Sequence, residues 1–421
     1  MRDATPVFAA DRLPEHLPER LTISCWIWGW IVAATPGEPY HDLERAVLET
    51  RDRGFNAVRV EVGLNWAFTP EGKRRGPVEL GPWIAGHGWN FSSVNALGGG
   101  RHDVLDRVLR LLELAARHGL RVILTSWEYQ DSTWFVADPA LRSEVYGIPL
   151  EQRFLHLARH HDRLLSLIEG EGLDQTVAFV EVHNEPEHSD FPKGETSRQR
   201  HEEAIAFLRA RHPRILFSGD FSSHDWSIVP NNAQVFDQHV YAGGEWYFQD
   251  LYGSTVLHPE FDPQQPRRLP VMDQLMRQDL VPWDEFMKPA QNVRPFWRPI
   301  MWLFENLDNQ AWDAWVAERF AVWRERIERA AAEMFAADAA EARQRSLPLV
   351  MDEGGLFYPP RLSRFEVTGE GLSLLDRCAD LALEHGYWGF MPGTYCAADH
   401  LVWHENPEWL RQINGRFLQG G

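Results

Sequence analysis

Two short segments of this sequence end in carboxylates at places where carboxylates can do chemistry. In FVEVHNEPEH an apolar, β-branched stretch runs into Asn184-Glu185-Pro186, and in LVMDEGG a second one runs into Asp352-Glu353 ahead of two glycines. A strand end holds a side chain rigidly, and Pro186 prevents the strand from continuing in a ladder. Two carboxyl groups facing each other suit the cleavage of a glycosidic bond: one gives a proton to the leaving oxygen and the other attacks the anomeric carbon. Glu185 fits the general acid and base, and Glu353 fits the nucleophile. Retention of configuration then requires carboxyl groups about 5–5.5 Å apart. Asp352 is the competing carboxylate in the second segment, and the strand register decides which of the two faces the site. This chemistry needs no cofactor.

Other polar residues fall where they could serve the same pair. Arg59, in FNAVRVEV, would keep a nearby nucleophile ionised, or would neutralise Glu61 or Glu181 inside the fold. His239 and Tyr241, in DQHVY, are spaced by two and so share one face of a strand. His183 shares a face with Glu181 and Glu185 and reads as a supporting residue. Trp28, Trp30, Trp66 and Trp127 could stack on sugar rings or pack in the core. His102 beside Asp103, and His156 with His160 and His161, lack the carboxylate or thiol partners of a metal centre, so no metal is expected.

The elements that must position these residues alternate regularly. Strand candidates are Leu21–Trp28, Ala57–Val62, Arg121–Ser126, Val177–Asn184, Arg214–Ser218, Gln234–Tyr241, Leu347–Glu353 and Tyr387–Met391. Helical spacing separates most of them, as in Val104, Val108, Leu111, Leu112 and Ala115, with Asp103 placed to cap and Gly119 to stop. Further helices start near Asp42, Leu150, Ser197, Asn309, Glu370 and Pro407, whereas the crossover between Phe221 and Asn232 is too short for a long helix. Strand and helix in eightfold alternation predict an α/β fold, a (β/α)8 TIM barrel spanning 1–421 as a single domain, with a doubly wound open sheet as the alternative. Long insertions, Thr69–Arg101 after strand 2 and Ala242–Pro299 after strand 6, follow strand C-termini and would wall a pocket.

Composition narrows the partners. The 421 residues carry 61 acidic and 42 basic side chains, a net charge of −19, which disfavours nucleic acid and anionic lipid. The N-terminal segment is broken by charges and prolines and lacks a signal-peptide stretch, and the three cysteines are far apart. A cytoplasmic protein with reduced thiols and a carbohydrate partner is the expectation. The oligomeric state is not readable.

These motifs together resemble the clan A barrel glycosidases, with the acid/base on strand four and the nucleophile on strand seven, and most of all the cellulase-like group that includes glycoside hydrolase family 5. The resemblance implies that Arg59 holds the nucleophile, that Asn184 binds the sugar 2-hydroxyl, and that His239 and Tyr241 lie near acid and nucleophile respectively. Two departures touch sugar recognition. VILTSWEYQ replaces the usual strand-three histidine, leaving Trp127 and Glu128 to meet the sugar, and MPGTYC offers Tyr395 in place of a clear platform tryptophan, with Trp28 a further candidate. The implied activity is a retaining O-glycosyl hydrolase acting exo on small oligosaccharides or glycosides. A transglycosylase using the same glutamates, or a non-catalytic sugar-binding barrel, are the rivals.

Overall fold

A computed structural model describes residues 13–81, 100–130, 132–288, 293–394 and 396–420. Eight parallel strand positions run along the chain: β1 Leu21–Ile27, β2 Ala57–Glu61, β3 Arg121–Thr125 and β4 Val177–Glu181 come first. β5 has two halves, Phe217–Ser218 and Asp220–Phe221, and β6 likewise has Phe236–Gln238 and Val240–Tyr241. β7 is Leu349–Met351, continued by Gly354–Gly355, and β8 is Gly389–Phe390.

The pairing closes this series on itself. β1 pairs with both β2 and β8, and the first half of β5 pairs with β4 while its second half pairs with β6. One chain segment therefore joins the two ends of the sheet order, and the sheet is a barrel. Gly219 makes the switch possible: a Cβ there would lie 2.1 Å from the His201 ring. A second close approach lies between β6 and β7, where Val240 pairs with Gly354 and a Cβ on that glycine would sit 2.6 Å from the Val240 carbonyl oxygen.

Helices cover the outside as their spacing predicts: α1 Leu43–Asp52, α2 Val104–His118, α3 Arg153–Gly170 and α4 Gly194–Arg209, then α5 Asn309–Arg345, α6 Gly369–His385 and α7 Pro407–Gln419. Asp103 caps α2 by accepting from the Asp106 N–H, and Gly119 ends it in the left-handed conformation. Between β5 and β6 the described residues hold only a short 3₁₀ turn at Trp226–Ile228, matching the weak fifth crossover. The observed strands are shorter than the apolar runs, because the runs continue past the last ladder bond into loops that carry the site. Of the first insertion, Val78–Leu80 pairs antiparallel with Gly100–His102, and residues 82–99 lie outside the described ones. Among the described residues no helix is long and apolar enough to cross a membrane.

The 37-residue α5 brings the chain back from the second insertion to β7. Its first turn is held by Asp308, whose carboxylate accepts from the Gln310 and Ala311 N–H groups at 3.0 Å each. Asp308→Ala should lower the unfolding free energy by roughly 0.5–2 kcal/mol, read from chemical denaturation, with the barrel's far-ultraviolet circular dichroism unchanged.

Candidate active site

The C-terminal strand ends converge on one buried cation. Arg59, with no exposed surface, projects from β2 into the barrel. Its Nη1 donates to Glu353 Oε1 at 2.6 Å, its Nη2 to Glu181 Oε2 at 2.7 Å and to Asn184 Oδ1 at 2.8 Å, and its Nε lies 2.9 Å from Asp352 Oδ2. Asp220, from the second half of β5, completes the set at Nη2. Burial lowers the pKa of a guanidinium, but Asp352, Glu181, Glu353 and Asp220 outweigh this and raise Arg59 well above its ordinary value. The earlier alternative of Glu61 as the partner is not what the barrel uses. Glu61 accepts instead from the Gly63 and Trp127 N–H groups.

Glu185 reaches the site through an unusual backbone. Its φ of 40° is left-handed, a conformation that costs a non-glycine residue about 1–3 kcal/mol. The turn directs its N–H to Asp220 Oδ1 at 3.1 Å and its carboxyl group toward β6 and β7. There His239 Nδ1 lies 2.8 Å from Glu185 Oε1 and 3.6 Å from Glu353 Oε2, while Gln130 Nε2 donates to Glu185 Oε2 at 3.1 Å. Ile27, at the end of β1, is the other strand-end residue with positive φ, at the irregular pairing with β2.

Glu353 is held from three sides. Besides Arg59 it accepts at Oε2 from the Tyr241 hydroxyl at 2.5 Å and from the Tyr358 hydroxyl at 3.0 Å, and the two phenol oxygens are 2.6 Å apart. Facing oxygen and nitrogen atoms of Glu185, His239 and Glu353 all lie within 4.8 Å of one another. Asp352 turns away beneath Arg59, so the register assigns the exposed edge to Glu353, whose side chain keeps 2% of its surface against none for Asp352.

Protons are shared across this cluster. For His239, burial lowers the pKa, but Glu353, Asp220, Asp352 and Glu185 together raise it well above the ordinary imidazole value. For Glu185, burial pushes upward, and the His239 hydrogen bond and charge bring it down to about 2. The pair therefore keeps one proton at neutral pH, resting on the imidazole side. Deeper in the barrel, burial raises Glu181 and Asp237 well above the carboxylate range. Glu181, Asp237 and Asp352 also have oxygens within 4.8 Å of one another, as an ion would require. Arg59 already pairs with Glu181 and Asp352.

A cavity of about 540 Å³ opens above Glu185, His239 and Tyr241, with Gln130, Tyr358 and the insertion after β6 on its walls. Of the residues singled out from sequence, Trp127 lies elsewhere: Arg59 packs over its ring at 4.6 Å, and Trp28 meets it edge-on at 5.7 Å. Both tryptophans are almost fully buried and do not line this cavity. Glu128 is wholly buried and accepts from Ser126 and from the Asn65 N–H, so its carboxylate is engaged away from the cavity. Asn184 is tied between Arg59 and Gln130 Oε1, the latter at 2.6 Å. Tyr395 lies outside the described residues. His183 supports the loop, with Nδ1 2.6 Å from the Asn184 carbonyl oxygen and Nε2 accepting from the Tyr129 N–H. His156 and His160 are engaged with Asn65 Oδ1 and the Thr69 carbonyl.

Residues 23–418 match the sequence profile of the sugar-binding cellulase-like family. The chain belongs to that family. No curated protein sequence gives a match. Solved structures of low identity share the fold of this cellulase-like chain. A candidate glycoside hydrolase from Parabacteroides distasonis is 16% identical with a TM-score of 0.66, over 95% of this chain and 94% of that one. An endo-β-1,4-mannanase from Thermotoga petrophila is 12% identical with a TM-score of 0.51, over 96% and 78%. A variant of a glycoside hydrolase family 5 mannosidase from Rhizomucor miehei, solved with mannosyl-fructose, is 12% identical with a TM-score of 0.51, over 100% and 99%.

Sequence reasoning about this cellulase-like barrel missed four contributors. Gln130 stands two residues past Glu128 on the same loop, and Tyr358 follows Glu353 by five, spacings that no strand rule covers. Asp220 lies just past the glycine that splits β5. Glu187 accepts from the Ser222 and Ser223 N–H groups at 2.7 and 3.1 Å and so clamps the loop after β4 to that after β5. Burial, then the Glu185 charge, pushes Glu187 up to about 8. Replacing the hub by Arg59→Met would leave buried carboxylates without their cation, and a loss of roughly 3–5 kcal/mol in urea unfolding is the expected result.

Proposed function

We propose that this chain is a retaining glycoside hydrolase acting exo on small glycosides, with Glu185 as acid/base and Glu353 as nucleophile. The observation that carries the reading is the approach of the two carboxyl groups: their facing oxygens are within 4.8 Å, bridged by His239. That approach of the facing oxygens suits direct attack and fits the carboxyl separation of about 5–5.5 Å in a retaining pair better than that of about 6.5–9.5 Å in an inverting one. The cavity walled by the second insertion supports end-on cleavage of a short substrate.

In the first step Glu353 bonds to the anomeric carbon while the leaving oxygen takes a proton from Glu185. His239 supplies that proton through its hydrogen bond to Glu185 Oε1, and Gln130 fixes Oε2 toward the cavity. In the second step water attacks the glycosyl-enzyme, Glu185 accepts its proton, and the pair with His239 is restored. Arg59 and the tyrosines hold the nucleophile in place and receive it again as a carboxylate.

A panel of nitrophenyl pyranosides and furanosides checks the reading. Wild type should release nitrophenol from at least one, Glu353→Ala and Glu185→Ala should each lose about 100-fold or more in kcat, and the first-formed sugar should keep its anomeric configuration by proton NMR. Inverted product, or equal rates in Glu353→Ala, overturns it.

The same proton pair sets a pH response. Because His239 is raised, the protonated pair is intact below pH ~6.5 and persists above it, and is lost only as pH climbs through the raised value. Without the imidazole, Glu185 must hold the proton alone. His239→Asn should move the alkaline limb of kcat/KM to lower pH by about one unit or more, in a pH–rate profile on the best nitrophenyl glycoside.

A further inference from the structure

The cavity beside Glu185 has two unlike ends. Its inner end holds Glu185, His239 and Tyr241, and its outer wall is aromatic: Phe248, Phe296 and Trp297 come from the insertion after β6, and Phe357 from the loop after β7. These rings form one packed surface, with Phe248 and Phe357 centred 4.8 Å apart and Phe296 against Phe248 at 5.7 Å and Trp297 at 5.2 Å. Phe296 is 46% exposed, so the ring cluster presents apolar surface to solvent.

Several polar side chains on the outer wall are held by the protein. Arg294 donates to the carbonyls of Tyr129 and His188, Glu245 pairs with Arg326 and accepts from Gln249, and His224 lies 3.3 Å from Asp338. Nearer the acid, Gln130 spends its amide on Asn184 and Glu185. A second sugar placed here would stack one face on the rings, but its rim of hydroxyls would leave water for a wall that is mostly aromatic and whose polar groups are partly engaged, and each unpaired hydroxyl is costly. An apolar group loses nothing by the same transfer and gains from every ring it covers.

Glu185 opens onto this cavity, whereas Glu353 sits beneath Tyr241 and Tyr358 with 2% of its side chain exposed. The aromatic wall is thus on the side of the acid, where the leaving group departs. We propose that the substrates are glycosides of an apolar alcohol or phenol, the aglycone lying on Phe248, Phe296, Trp297 and Phe357, and not oligosaccharides with a sugar in that place. This rests on the hydrolase reading above and narrows its substrate class.

The test pairs hexyl glycosides with disaccharides of the same non-reducing sugar and anomer, across glucose, mannose, galactose and xylose. A sugar hydroxyl is the better leaving group of the two, so a higher kcat/KM for the hexyl glycoside reports the aglycone site. The expected result is a preference for the hexyl glycoside of about 30-fold or more, reduced several-fold in Phe296→Ser, a surface position that folding tolerates. Equal or better cleavage of the disaccharides overturns the inference and leaves the hydrolase reading standing. If nothing is cleaved, the hydrolase reading falls, and titration calorimetry on the wild-type protein decides the rest: hexyl glycosides binding well ahead of disaccharides keeps the apolar site, and equal or absent binding removes it.

Discussion

A guanidinium with no access to water sets the terms for everything around it. Arg59 meets four carboxylates from β4, β5 and the β7 end at once, so three separate chain segments must arrive within hydrogen-bond reach of one planar group. A buried charge is tolerated only when its partners are present and well aligned. The barrel closure and the glycine switch in β5 can each be understood as a way of delivering one of those partners, and the left-handed turn at Glu185 aims its N–H at one of them, Asp220. Trp127 covers the remaining face of the guanidinium and shuts out water.

The surrounding acids outnumber the cations. Burial raises Glu181 and Asp237 well above the carboxylate range, whereas Asp352, against Arg59 and His239, is held well below it. Groups of one chemical type thereby come to differ in acidity by position alone. The Glu185–His239 pair stands at the boundary between this acid-rich interior and the cavity.

Much of the barrel was legible because its signals are local. Apolar runs, the Asp103 cap and the Gly119 stop act within a few residues, and the structure keeps α2 where they put it. The strand-end residues Glu185, Glu353, Arg59, His239 and Tyr241 were also findable, because a strand fixes both direction and spacing. Loops obey no such period. Gln130 reaches Glu185 and Tyr358 reaches Glu353 only through loop paths that residue type and spacing do not encode. Trp127 and Glu128 illustrate the same limit in reverse: they follow the third strand in sequence, yet their side chains pack against Arg59 and the Asn65 loop, away from the cavity. Strand ends were overcalled for a related reason, since apolar character persists where ladder bonding has stopped.

The hydroxyls of Tyr241 and Tyr358 meet on a single oxygen of Glu353. Donors of that kind bind an anion more tightly than a neutral ester. In the proposed mechanism, once Glu353 is esterified to a sugar, both phenols and Arg59 would face a weaker acceptor, and they would regain their full strength only when the carboxylate departs. The arrangement that steadies the proposed attacking group would therefore also make it a good leaving group, and would shorten the life of the covalent intermediate.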